Sequence, residues 1–268
     1  MNNLREELEK GPMLGFGIMW PQVGMIERIG PDWDWFWIDG QHGELDYSDV
    51  LAAVRASNLV RRPAVVRVPG HEPGPIGKML DTACEAVMVP MVETAEEARA
   101  LVRAAKFPPL GSRSYGGRRP VDLFGRSYSH ADRPQPMLVC QIETVEGARN
   151  APSIAAVDGV DALFFGPDDM AMRMGMPMDQ PRPKGCFDKE WESVARAAAK
   201  AGKFCGGVFT TPDVLRQAVA MGYRLIVASA DSALVPASSK EKSQALRSCL
   251  AEAGQVKGPK EPGPAGTY

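Results

Sequence analysis

The 268-residue chain has no apolar run approaching the roughly 18 residues that a membrane-spanning helix requires, so no such span is expected. It has no cationic excess. Its 31 Lys and Arg against 33 Asp and Glu leave a formal net charge of −2, which removes the electrostatic case for a nucleic-acid partner. It has no C-x-x-C pair: Cys84, Cys140, Cys186, Cys205 and Cys249 are odd in number and scattered, so buried reduced thiols are expected rather than a disulfide scaffold or structural zinc. The opening, MNNLREELEK, is charged and amphipathic and lacks the apolar segment of a secretory signal. By elimination the sequence reads as that of a cytoplasmic protein.

What is present is an alternation. Apolar, β-rich runs occur at Leu14–Met19, Trp35–Ile38, Ala64–Val68, Ala86–Pro90, Met137–Ile142, Ala162–Phe165, Phe204–Val208 and Leu225–Ala228. They are nearly continuous in apolar character, as parallel strands covered on both faces must be. Between them lie helical patterns at Tyr47–Ala56, Pro75–Ala83, Thr94–Ala105, Val145–Ala151, Lys189–Ala201, Pro212–Met221 and Lys240–Ala253. Thr94 with Glu97 has the spacing of a capping box, and Thr211–Pro212 puts a cap residue before proline at the first helical position. Eight strands alternating with helices predict an α/β fold, a single-domain (β/α)8 TIM barrel over residues 1–254. A doubly wound open sheet is disfavoured because no G-x-G-x-x-G follows an early strand. The Gly/Pro-rich tail at 255–268 is expected to be disordered. One connection is long: 46 residues separate Pro90 from Met137, and they include a basic stretch with Arg113, Arg118, Arg119 and Arg126. Most of these arginines are expected to be solvated, with one or two available to an anionic substrate group.

Barrel chemistry takes place where strands end at their C-termini. His42 and Arg67 follow strands two and three, 25 positions apart; Glu143 and Asp169 follow strands five and six, 26 positions apart. Each interval is one βα step, so each pair falls on neighbouring strands. Two carboxylates brought together repel unless a cation lies between them, and an all-oxygen donor set favours Mg²⁺ or Mn²⁺, with Co²⁺ a further candidate. The bland alternative is one acid capping a helix and the other paired with a basic side chain. His42 lies among glycines close to Asp39, a carboxylate able to orient an imidazole for acid/base work; the alternative is a histidine that only bonds backbone in a tight turn. His71 and His130 read as surface residues. Arg67, set among apolar strand residues, needs an anionic partner, either a protein carboxylate or a substrate carboxylate or enolate oxygen. The methionines at 170, 172, 174, 176 and 178 read as mobile packing.

Six segments carry a resemblance: DGQHG over Asp39–Gly43, VVRVP over Val65–Pro69, VPMVET over Val89–Thr94, FPPLG over Phe107–Gly111, QIET over Gln141–Thr144 and GPDD over Gly166–Asp169. In this order, from about Leu14 to Ser232, the sequence resembles the metal-dependent pyruvate aldolases that include 4-hydroxy-2-oxoheptanedioate aldolase and 2-dehydro-3-deoxyglucarate aldolase. The resemblance implies reversible aldol cleavage of a 4-hydroxy-2-keto acid to pyruvate and an aldehyde. It implies that Glu143 and Asp169 ligate the cation, that Arg67 holds the keto and enolate oxygen, and that His42, oriented by Asp39, assists proton transfer. Gln141 would line the pocket, backbone N–H groups around Gly166, Pro167, Asp168 and Asp169 would bind the carboxylate, and Asp81 matches an acid that approaches a neighbouring subunit's site. A homohexamer with an exchanged C-terminal helix is also implied. Relatives often carry Glu where Gln41 stands and a small residue where Asp168 stands, and the basic loop differs, which bears on substrate identity. A Schiff-base route needs a lysine at a strand's C-terminal end; Lys203 precedes strand seven, and Lys78 and Lys106 read as helical or just past a helix. A hydrolase or coenzyme A thioester lyase of the wider phosphoenolpyruvate/pyruvate superfamily is the rival, and a non-catalytic keto-acid binder the third reading.

Overall fold

The computed structural model describes residues 3–130, 132 and 134–253. Eight parallel strands close into a barrel in sequence order: β1 Met13–Ile18, β2 Trp35–Asp39, β3 Ala64–Arg67, β4 Ala86–Val89, β5 Met137–Ile142, β6 Ala162–Phe165, β7 Phe204–Val208 and β8 Leu225–Ala230. The helices are α1 Leu4–Lys10, α2 Val23–Ile29, α3 Tyr47–Leu59, α4 Pro73–Leu80, α5 Ala95–Ala105, α6 Arg118–Phe124, α7 Val145–Ala155, α8 Pro167–Arg173, α9 Asp188–Lys200, α10 Pro212–Ala220 and α11 Asp231–Glu252. The expected TIM barrel is therefore present. The chain divides into two compact units, the first ending at Asp231, so the barrel closes before residue 254. The second, from Ser232, is described only as the body of α11, which runs through Pro236 and exposes Leu234, Val235, Leu246 and Leu250. The tail from Gln255 lies outside the described residues. No helix among the described residues is long and apolar enough to cross a membrane.

The continuous apolar strands bury residues on both faces. Alternate residues fill the barrel, among them Trp35, Trp37, Val65, Met88, Val139, Phe164 and Val227, while Phe36, Ile38, Val66, Val87 and Leu163 face the helices. Interior crowding explains Gly15 on β1, where a Cβ would lie 2.2 Å from the Trp35 indole. The N-terminal end is stoppered by α1, whose Leu4 and Leu8 are buried with the interior residues. Beside it, Asp161 accepts from Lys106 Nζ at 2.6 Å and from Arg5 Nη2 at 2.5 Å. That places Lys106 at the face opposite the chemistry expected of the strand ends. Of the cysteines, Cys84, Cys140 and Cys205 are buried, Cys186 is half-buried and Cys249 is exposed, so the expectation of buried thiols holds for three.

The long connection is structured. After α5 the chain forms α6 and a short 3₁₀ turn, and two of its arginines are not solvated. Arg113 is buried, donates to Asp81 Oδ1 at 2.8 Å and lies 4.7 Å from the Phe107 ring centroid. Arg119 donates to the Thr82 carbonyl at 2.5 Å and to Asn58 Oδ1 at 2.8 Å. Arg113 is buried and Arg119 half-buried; their terminal nitrogens find these acceptors at the ends of α3 and α4, while Arg113 Nε is buried without a partner among the described residues, and the two side chains staple the excursion down. Arg118 and Arg126 are exposed as expected.

Candidate active site

Register sets the site. Asp39 and Arg67 are paired neighbours at the ends of β2 and β3. Arg67 Nε donates to Asp39 Oδ1 at 2.8 Å and its Nη2 donates to Oδ2, a two-pronged pair in which Asp39 is fully buried and Arg67 6% exposed. Asp39 Oδ1 also accepts from the backbone N–H of Gln41 at 3.0 Å and of His42 at 3.2 Å. Burial pushes the Asp39 carboxyl up, but Arg67 and these N–H donors outweigh it and hold it below the usual range. The sequence expectation that Asp39 orients the His42 ring is therefore corrected. It fixes the Arg67 guanidinium and the turn that carries His42, while the imidazole is exposed and has no partner among the described residues.

The two acids follow β5 and β6 as their spacing required. Glu143 is 2% exposed, and its Oε1 accepts from the Met91 N–H at 2.8 Å while Oε2 accepts from Gln141 Nε2 at 2.5 Å. Met91 adopts φ +57°, a left-handed conformation uncommon for a side-chain-bearing residue, and it presents its N–H to the carboxylate. In the sequence it stands out only as part of the VPMVET segment. Burial pushes the Glu143 carboxyl up to about 7, and the charge of Asp169 adds to the rise while Arg67 opposes it. Asp169 lies in the first turn of α8. Gly166 is required here: a Cβ would stand 2.4 Å from Glu143 Oε2 and 2.8 Å from Gln141 Nε2.

These residues fit a divalent cation. Two carboxylates at the ends of neighbouring strands supply hard oxygen donors, and the Glu143 carboxyl, pushed up by burial and further by the charge of Asp169, is one whose charged form a cation would favour. Such a site leaves positions for water and substrate. Gln141 Oε1 beside it is buried without a partner, as is Gln41 Oε1 near His42.

The carboxylate cradle around Gly166 is narrower than expected. The Gly166 N–H is spent on the Ile142 carbonyl at 3.0 Å, and proline at 167 has none, so the first-turn N–H groups of Asp168 and Asp169 are the donors left. The Asp168 side chain is exposed and engaged by Arg182. Asp81 stands apart, at the end of α4 and paired with Arg113. His71 is not a plain surface residue: its Nε2 meets the Pro90 carbonyl at 2.7 Å, next to Met91. Asp231, also unmarked by sequence reasoning, is fully buried and accepts from the N–H groups of Met19 and Trp20 at 3.0 Å, tying the β1 exit to the β8 exit.

A model of the HpcH/HpaI aldolase/citrate lyase family matches residues 24–236. A 4-hydroxy-2-oxovalerate aldolase of Novosphingobium aromaticivorans is 36% identical over 236 residues, 87% of this chain and 89% of that protein. A 4-hydroxy-2-oxo-heptane-1,7-dioate aldolase of Klebsiella pneumoniae subsp. pneumoniae is 31% identical over 241 residues, 88% of this chain and 90% of that one. Among solved structures, a family protein from Burkholderia cenocepacia J2315 superposes with a TM-score of 0.82 at 31% identity, covering 92% of this chain and all of that one. Barrel, paired strand-end acids and matched sequence agree: the chain belongs to the HpcH/HpaI aldolase/citrate lyase family.

Proposed function

We propose that this protein is a pyruvate aldolase, a carbon–carbon lyase that reversibly cleaves the C3–C4 bond of a 4-hydroxy-2-keto acid to give pyruvate and an aldehyde. What supports the reading is that Glu143 follows β5 and Asp169 opens α8 after the neighbouring β6, with the buried Asp39–Arg67 pair at the ends of β2 and β3, in a chain of this family. Glu143 and Asp169 would hold a divalent cation, Mg²⁺ or Mn²⁺, with Co²⁺ able to stand in. When bound, such a cation supplies Lewis-acid polarisation of the substrate carbonyl.

The chain's own groups do the rest. Arg67 spends Nε and Nη2 on Asp39, so Nη1 is left for the keto oxygen, whose charge grows as the enolate forms. The N–H groups of Asp168 and Asp169 at the start of α8 receive the substrate carboxylate. The exposed His42 imidazole takes the proton of the C4 hydroxyl, and loss of that proton releases the aldehyde and leaves pyruvate enolate. Lys106, Lys203 and Lys78 give no Schiff-base alternative: the first is locked to Asp161, the second precedes β7, and the third stacks on Tyr47 at 4.2 Å. The exposed apolar residues of α11 support assembly into a homo-oligomer, a hexamer by resemblance, in which Asp81 would serve a neighbouring protomer's site.

The test is release of pyruvate from 4-hydroxy-2-oxovalerate and 4-hydroxy-2-oxoheptanedioate with Mn²⁺ present and coenzyme A absent. Pyruvate and aldehyde in equal amounts support the reading. Turnover confined to coenzyme A thioesters would assign the protein to the thioester-lyase branch instead.

A further inference from the structure

We propose that Trp37 is a positioning residue for Arg67: its indole face fixes the tilt of the guanidinium that receives the enolate, and its N–H plays no part. This rests on the aldolase reading above. Trp37 lies two residues before Asp39 on β2, so both point into the barrel. Arg67 Cζ sits 4.6 Å from the Trp37 ring centroid, and the Phe164 ring backs the indole at 5.9 Å.

Asp39 alone cannot fix Arg67. A two-pronged contact through Nε and Nη2 stops the guanidinium from turning within its own plane, yet the plane can still hinge about the line joining the two carboxylate oxygens. Any hinge motion swings Nη1, the donor left for substrate. The indole closes off that motion on one side, and the attraction between a cation and an aromatic face is strongest where water is excluded, as at this 6%-exposed arginine. The Trp37 Nε1–H itself is buried with no acceptor among the described residues. An orphan donor costs stability, so the geometry makes the ring face the useful part.

The sharpest comparison is Trp37→Phe, which keeps a face and removes the orphan donor, against Trp37→Leu, which removes the face. Both are measured with wild type and Arg67→Lys for exchange of pyruvate methyl protons with solvent, with Mn²⁺ present. Trp37→Leu is expected to lower kcat about 10- to 30-fold with KM for pyruvate nearly unchanged, because the guanidinium acts on charge that grows in the transition state. Trp37→Phe is expected to retain most of kcat. Equal impairment of both variants would overturn the proposal, since it would mean a ligand uses the N–H. So would a normal kcat in Trp37→Leu, or a raised KM without loss of kcat.

Trp37→Leu can fail to fold, so a second measurement stands beside it. The emission difference between wild type and Trp37→Phe should change when oxalate, a planar analogue of the enolate, is added. In an Arg67→Lys background that response should vanish. No response in the wild-type difference overturns the proposal even if the leucine variant is insoluble. Wild-type protein that exchanges no protons at all would fail the aldolase reading, whereas normal wild-type exchange with an unaffected leucine variant fails only the role of Trp37.

Discussion

Replacing Asp39 by Asn tests the buried pair at the centre of the site. Asp39 Oδ1 receives three donors, Arg67 Nε, Gln41 N–H and His42 N–H, and an amide oxygen can keep all three. The other oxygen becomes an NH₂ facing Arg67 Nη2, donor against donor, and the arginine is left with a buried, uncompensated charge. Breaking one side of such a pair costs about 3–5 kcal/mol, and the retained oxygen argues for the lower end, about 3 kcal/mol. For a barrel of this size that corresponds to a drop of about 6–12 °C in Tm, read by calorimetry. The Asp39 carboxyl is held below its usual range, so its contribution is present at neutral pH and fades as pH falls through that lowered value; the gap between wild type and variant should close in acid. The double variant Asp39→Leu with Arg67→Met, which leaves no buried charge, should recover much of the stability and none of the activity. A D39N protein melting within about 1 °C of wild type, or a double variant no more stable than D39N, would show that the buried pair does not carry this stability.

Three further outcomes are expected. Arg67→Lys keeps a charge but loses the planar fork that spans Asp39 and substrate, so kcat should fall about 100-fold or more with a smaller change in KM, measured by pyruvate release. His42→Ala should lower kcat about 10²–10⁴-fold, the range of general acid/base groups, while calorimetric Mn²⁺ affinity stays within about twofold. Glu85 accepts from the Ala64 N–H at 2.8 Å and is pushed up to about 7 by burial. The unfolded chain gives up that proton near 4.5, so stability should fall as pH rises from about 4.5 to 7, and Glu85→Gln should flatten that fall and be about 1–2 kcal/mol more stable at pH 8 in urea titrations.

The barrel is legible because strands buried on both faces show as unbroken apolar runs, and for β5, β6 and β7 the run and the strand have the same bounds. Helix ends were less legible, for physical reasons. The helical pattern ends at Ala151, one residue before Pro152, but α7 continues to Ala155, where Ser193 Oγ donates to the Ala148 carbonyl that the proline leaves without an N–H. A similar break at Pro236 hid the first turns of α11. The short helices α1, α2, α6 and α8 carry too few turns to show a period. The Thr94–Glu97 capping box formed, whereas Thr211 makes no side-chain cap bond, and the box at Asp46–Asp49 went unread.

At the site, intervals of one βα step are enough to put His42 with Arg67, and Glu143 with Asp169, at the ends of neighbouring strands. Partner choice was not legible. Whether Asp39 served the imidazole or the guanidinium depended on which side chain pointed into the barrel, and that follows from register. Arg113 and Arg119 misled for a related reason: composition counts charges but does not show that Asp81 and the Thr82 carbonyl wait beneath them. Met91 and Gly166 matter through a backbone N–H and a missing Cβ, features no residue pattern displays alone.

The proposed activity rests on Glu143 and Asp169 holding a divalent cation with which Arg67 enolises pyruvate. The most direct measurement is the rate at which pyruvate methyl protons exchange into deuterated water, followed by NMR on protein stripped with a chelator and then reloaded with Mn²⁺. Exchange is expected to disappear on stripping, to return on reloading, and not to return in Glu143→Gln. Undiminished exchange by the stripped protein would contradict this expectation.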